Sequence, residues 1–98
     1  MNYLEELAKG YLHQDYDIYG GDVWDALQAF LDDNGGRAAA VGLTREIDEL
    51  FRRTANDDGR VAAELLALGI QVGPTSEEET FTQFLQGIRK RAIRVASD

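Results

Sequence analysis

The sequence predicts a small all-α fold, a single-domain bundle of about five helices spanning residues 1–98. Apolar residues recur three and four positions apart in five segments, which is typical of helices that bury one face. Clusters of glycine, asparagine and aspartate separate these segments, and no two of them form a convincing pair of strands. With 44% hydrophobic residues, a chain of 98 residues can bury a modest core without metal ions or disulfides.

The first helix is expected to begin after Asn2, which is a candidate N-cap. Glu5 follows three residues later and would complete a capping box. Residues spaced for one buried face follow: Leu4, Leu7, Ala8 and Tyr11.

The second helix is expected to begin after Asp22, a favourable N-cap residue. Trp24 and Ala26 are predicted on the flanks of its buried face. The residues predicted to point inward are Val23, Leu27, Phe30 and Leu31. Those predicted on the opposite face are Asp25, Ala29, Asp32 and Asp33. The last two acids stand at the helix C-terminus, where the helix dipole disfavours anions, and this hints at a function.

The third and fourth helices are predicted over residues 37–54 and 60–68, separated by an Asn-Asp-Asp-Gly turn that offers a cap. Gly69 is expected to stop the fourth helix, and Ile70 and Val72 to pack as an extended link. The inward residues of these two helices are Leu43, Ile47, Leu50, Phe51, Val61, Leu65 and Leu68.

The fifth helix is expected to begin with a capping box formed by Thr80 and Gln83. Its predicted buried stripe comprises Phe81, Phe84, Leu85, Ile88, Ala92 and Val95. Four basic residues lie toward its C-terminus, where cations are favoured: Arg89, Lys90, Arg91 and Arg94. They are interpreted as a solvated face rather than as a nucleic-acid contact.

Charge is distributed unevenly along the chain. The formal net charge is −8, and residues 1–33 contain eight acids and one base, whereas the remainder contains ten acids and nine bases. Excess acid argues against nucleic acid and anionic membranes as direct partners, because both attract basic residues. It favours a basic protein partner, or solubility alone.

Composition excludes several kinds of chemistry. There are no cysteines, which rules out disulfides, thiol catalysis and cysteine-based zinc sites. The N-terminal segment lacks a basic stretch followed by an apolar run, so no signal peptide is expected. No apolar stretch approaches the ~20 residues that a membrane-spanning helix needs.

Residues 11–22 hold three tyrosines, three aspartates and the only histidine. His13 could act as a general base beside Asp15 or Asp17. No serine or cysteine lies near it, and bonding of His13 to nearby backbone is the preferred interpretation. The spacing from Asp15 onward also lacks the ligand order of a calcium loop. No catalytic residue, metal site or cofactor is therefore predicted.

The acids of this region, together with neighbouring aromatic residues, are predicted to form a partner-binding surface. Aromatic side chains beside charge supply the rigid contacts that dominate many interfaces. The predicted residues are Asp15, Tyr16, Asp17, Tyr19, Asp22, Trp24, Asp25, Asp32 and Asp33.

Residues 11–17 read Tyr-Leu-His-Gln-Asp-Tyr-Asp. This segment resembles the Tyr-Phe-His-Gln-Asp-Trp-Asp signature of a family of contact-dependent growth inhibition immunity proteins. Leu12 and Tyr16 stand where the signature has an aromatic residue and a tryptophan. The similarity continues through residues 22–31 and, more weakly, through residues 43–50.

The resemblance implies a cytoplasmic bacterial protein that binds a cognate toxin C-terminal domain and neutralises it without catalysis. The oligomeric state stays open, and a monomer in a one-to-one complex is the default expectation. Toxins of these systems are often nucleases, many of them acting on tRNA, and a nuclease cleft is basic. An acidic inhibitor could occupy that cleft or its rim. The alternative hypothesis is an acidic helical adaptor, or a nucleic-acid mimic, that binds a basic cellular protein.

Overall fold

The structure, a computed structural model, describes residues 3–12, 23–70 and 79–97. These ranges contain helices and turns but no strand, which confirms the all-α fold class. No helix within them is long and apolar enough to span a bilayer. The helices are α1 (Tyr3–Gly10), α2 (Val23–Asp33), α3 (Arg37–Thr54), α4 (Asp58–Ala67) and α5 (Phe81–Ser97).

The central helix is α3, which packs against each of the other four helices and most extensively against α5. The α3 prediction is confirmed at both of its ends. Its inward face is completed by Ala39 and Ala40, which are fully buried. Small side chains at these two positions allow neighbouring helices to approach closely. Most residues predicted to point inward are buried: Leu4, Leu7, Ala8, Leu27, Phe30, Leu31, Leu43, Ile47, Leu50, Val61, Leu65, Phe84, Leu85, Ile88 and Ala92.

The buried face of α2 is wider than predicted. Leu27, Phe30 and Leu31 were predicted to point inward and are buried, and Trp24 is half-buried, as expected on the flank. Ala26, also predicted on the flank, is fully buried. It lies about 40° from Phe30 around the helix, at 100° per residue.

Side chains from α3 fix the start of α1. The Glu46 carboxylate accepts hydrogen bonds from the backbone N–H of Tyr3 at 3.1 Å and of Leu4 at 2.9 Å. The predicted cap, Asn2, lies outside the described residues. Gly42 faces the Tyr3 ring so closely that a Cβ atom there would overlap ring carbons. The lack of a side chain at Gly42 is therefore a condition for this packing.

The fourth helix begins earlier than predicted, at Asp58 instead of Arg60, and ends at Ala67. The cause is its N-cap, Asp57, whose side chain accepts the N–H of Arg60 at 3.0 Å. Gly69 adopts a φ of 96° after the helix, as expected for a stop residue, and buried Ile70 follows it. Val72 lies outside the described residues.

The capping box of α5 is confirmed in both directions. The N–H of Thr80 donates to Gln83 Oε1 at 3.0 Å, and the N–H of Gln83 donates to Thr80 Oγ1 at 3.1 Å. Asp58 adds a contact from α4 by accepting the N–H of Thr82 at 2.9 Å. The first turn of α5 is therefore held both locally and by α4.

One ion pair joins the two longest helices. Arg89 on α5 donates to both carboxylate oxygens of Asp48 on α3, at 2.6 and 3.3 Å. The hydrogen bond to Asp48 raises the pKa of Arg89 above its usual value. Both side chains are about 40% exposed (37% and 42%), so the pair contributes about 0–1 kcal/mol to stability.

Candidate functional site

The acidic face of α2, which we define as Asp25 and Asp32, points away from the core. Both residues are exposed, and they stand seven positions apart, which places them within about 20° of each other around the helix. Between them, Gln28 Nε2 donates to Asp32 Oδ1 at 3.0 Å. The helix carries no basic residue in Val23–Asp33. Its outward face therefore offers carboxylates without a cation on the same helix.

Asp33 has a different position from the other two acids. It lies about 80° around the helix from Asp25, and its Oδ2 accepts the Tyr11 hydroxyl at 2.7 Å. The Tyr11 ring meets Phe30 edge-on at 5.4 Å, and Leu12 beside it is buried. Asp33 and Phe30 thus hold Tyr11 against the end of α2. An acid at a helix C-terminus is unfavourable, and this hydrogen bond gives Asp33 a structural role there.

Trp24 connects α2 to α5, which it contacts between Phe84 and Arg91. Its ring packs against Phe84 at a centroid distance of 6.0 Å. A Cβ atom at Gly87 would lie 3.2 Å from the ring, so this glycine leaves room for the indole. The Arg91 guanidinium lies 3.7 Å from the ring centroid, a cation–π contact. Trp24 is therefore an ordered, half-buried element of the surface.

A groove of about 410 Å³ runs between α2 and α5. Asp25 stands on its α2 side, and Arg91 and Arg94 stand on its α5 side. The floor is apolar and includes Leu27 and Leu31, both buried. The predicted acidic surface is thus bordered by positive charge on α5.

Sequence reasoning placed the two groove arginines on a solvated face and did not connect them with Trp24. The signal that could have found them is the charge pattern of α5, which has four basic residues and no acid between Phe81 and Ser97. The exposure of Arg91 and Arg94 agrees with the solvated-face interpretation, although Arg89 is engaged with Asp48.

Part of the predicted surface lies outside the described residues: Asp15, Tyr16, Asp17, Tyr19 and Asp22, together with His13. The members that the structure describes are Trp24, Asp25, Asp32 and Asp33. The structure brings Trp24 and Asp25 to one groove, whereas Asp33 accepts a hydrogen bond from Tyr11. Within the described residues, no group of three or more histidine or acidic side chains could hold a metal ion.

Comparison with known proteins assigns the family. The model of the CdiI immunity protein family matches residues 1–92. The chain therefore belongs to the CdiI immunity protein family, and the family resemblance noted in the sequence is confirmed. Such proteins neutralise a toxin and are generally not catalytic. No curated protein and no solved structure matches the chain significantly.

Proposed function

We propose that this immunity protein binds the toxin domain of its own contact-dependent growth inhibition system in the cytoplasm and covers a basic cleft with its acidic surface. In this proposal the toxin is a nuclease, most simply one that cleaves tRNA, and the complex contains one copy of each protein. The observation that carries the proposal, once the family is known, is the outward direction of Asp25 and Asp32 on a helix without basic residues.

The physical basis is competition with the substrate. A nuclease binds its polyanionic substrate through lysine and arginine side chains. Carboxylates held on a rigid helix can form charge-assisted hydrogen bonds with the same side chains. The negative field of the surface also accelerates encounter with a basic partner and disfavours partners that lack complementary charge. An inhibitor that occupies the substrate-binding cleft in this way neutralises the toxin without catalysing any reaction.

The proposed contact residues have unequal support. Asp25 and Asp32 are exposed, and Trp24 provides an ordered aromatic edge beside them. Asp33 already accepts the Tyr11 hydroxyl, so its contribution would be smaller. The other proposed contacts stay predictions: Asp15, Tyr16, Asp17, Tyr19 and Asp22.

The test is an inhibition assay with the toxin domain encoded beside this protein. Purified toxin is incubated with tRNA while the immunity protein is added in increasing amounts, and a toxin from another system serves as the specificity control. We expect cleavage to stop at about one equivalent for the cognate toxin only, as tight one-to-one binding requires. Undiminished cleavage together with no calorimetric binding would contradict the proposal and favour a basic cellular partner.

A further inference from the structure

The α5 wall of the groove carries charge of the opposite sign to the rest of the proposed interface. Arg91 and Arg94 line the groove, and within the described ranges no carboxylate lies within 4.0 Å of either guanidinium. Arg89 on the same helix is by contrast paired with Asp48. Two exposed cations therefore border the acidic face.

Arg91 is held in a geometry suited to binding an anion. Its guanidinium lies over the Trp24 ring, so one flat face of the group is occupied by the indole. The N–H groups of a guanidinium point outward in its plane, and a stacked arginine can still use them for a bidentate contact with a carboxylate. Because stacking already restricts the side chain, less conformational entropy is lost on binding.

We propose that the groove between α2 and α5 receives an apolar segment of the toxin that carries an acidic side chain. Its carboxylate binds Arg91 and Arg94, and its apolar side chains pack against the accessible parts of Trp24 and Val95. This inference rests on the proposed toxin binding. It requires a negative charge on the part of the toxin that enters the groove, whereas the acidic face requires positive charge on the part of the toxin that it contacts.

The groove favours a protein carboxylate over a nucleic acid. Asp25 lines the same groove, and the chain as a whole carries a formal charge of −8, so a polyanion would be repelled. A single carboxylate faces less repulsion than a phosphate backbone. A volume of about 410 Å³ over an apolar floor suits a few side chains.

The consequence is a polarised interface that admits one orientation of the toxin. A toxin surface that presents a base to Asp25 and an acid to Arg94 matches both sides of the groove, whereas a uniformly basic surface meets repulsion from the arginines. Like-charge juxtaposition discourages wrong partners. The groove arginines would thus add discrimination that a uniformly acidic surface lacks.

The test compares two charge reversals on α5 by calorimetric titration with the cognate toxin domain. Arg94→Glu changes the groove, and the control Lys90→Glu changes an exposed residue of the same helix that does not line it. We expect about a tenfold loss of affinity or more for Arg94→Glu, as found when a buried charge contact is broken, and less than about a twofold loss for the control. Thermal melts followed by circular dichroism check that both variants fold.

Trp24 offers a second readout, because it is the single tryptophan of the chain. Labelled with 5-fluorotryptophan, the protein gives one fluorine resonance, which should shift when toxin is added and shift less in Arg94→Glu. Equal affinities of the two variants with tight wild-type binding would overturn this inference alone. Absence of wild-type binding would overturn the proposed function as well. Binding of tRNA by the free wild-type protein that is lost in Arg94→Glu but kept in Lys90→Glu, with toxin affinity intact in both, would reassign the groove arginines to RNA.

Discussion

Glu46 and Asp48 of α3 are bonded to groups on α1 and α5, whereas Asp25 and Asp32 of α2 face outward on a helix without basic residues. The carboxylates of α3 and those of α2 differ in their structural roles. Around α3, carboxylates complete helix ends and join neighbouring helices. On α2, Asp33 accepts the Tyr11 hydroxyl, whereas Asp25 and Asp32 point outward with exposed side chains. Outward charges of this kind can vary between relatives without loss of the fold, which suits the selective toxin binding proposed above.

The largest effect is expected from Gly42→Ala in the α3 region. The new methyl group would overlap the Tyr3 ring, and overpacking of this kind costs about 1–3 kcal/mol. The matched control is Gly10→Ala, where a Cβ atom meets nothing within 4 Å. Urea unfolding should show a loss for the first variant and no loss for the second. Equal stability of the two would show that α1 does not pack on α3 as described.

Gly42 also shows what sequence patterns can and cannot predict. Periodicity located the five helices of the described ranges, and capping chemistry identified the Thr80–Gln83 box, because these signals act between residues close in sequence. The Glu46 cap and the Gly42 contact join α1 to α3 across about forty residues. No local pattern encodes such pairings, since they depend on how the helices pack.

In the candidate site, too, some features follow from local sequence patterns and others depend on how the helices pack. The outward direction of Asp25 and Asp32 follows from helical spacing and was predicted. The full burial of Ala26 and the packing of Trp24 against α5 depend on the volumes of partner side chains. The charge pattern of α5 marks the groove arginines as a cluster, but their place in one groove with Trp24 follows from this packing.

The second prediction reverses the charges of the α2 region. Asp25→Lys with Asp32→Lys should weaken toxin binding about tenfold or more, since basic residues of the toxin would meet cations, while stability changes by about 0.5 kcal/mol or less. The control, Glu6→Lys with Glu49→Lys, changes net charge equally at exposed residues on other helices. Calorimetry with the toxin domain measures both. If the control weakens binding as much, overall charge rather than this face determines affinity.

The third prediction concerns Glu46. Replacement by alanine removes the acceptor of two N–H groups at the start of α1 and should cost about 1 kcal/mol, the usual effect of losing a cap. Glu49→Ala on the same helix breaks only an exposed contact of 3.7 Å with Arg53, for which about 0–0.5 kcal/mol is expected. Chemical unfolding distinguishes the two. A smaller loss at Glu46 than at Glu49 would refute the cap.

The smallest effect is expected at Tyr11. Tyr11→Phe removes the hydroxyl that donates to Asp33 and should cost about 0.5 kcal/mol, because the bond is exposed to water. A double-mutant cycle with Asp33→Ala, which removes the acceptor, isolates the pair. Additive losses would mean that the hydrogen bond does not hold Tyr11 against α2, and Asp33 would then return to the acidic face as a contact residue.

The most direct test of the account is the salt dependence of toxin affinity for the wild-type protein and the Asp25→Lys, Asp32→Lys variant. Calorimetric titrations at about 50 mM and about 500 mM salt span strong and weak screening of exposed charges. We expect tight wild-type binding that weakens with salt, and weaker variant binding that loses this dependence. Tight binding by both proteins with the same response to salt would contradict the claim that the charges of α2 serve recognition.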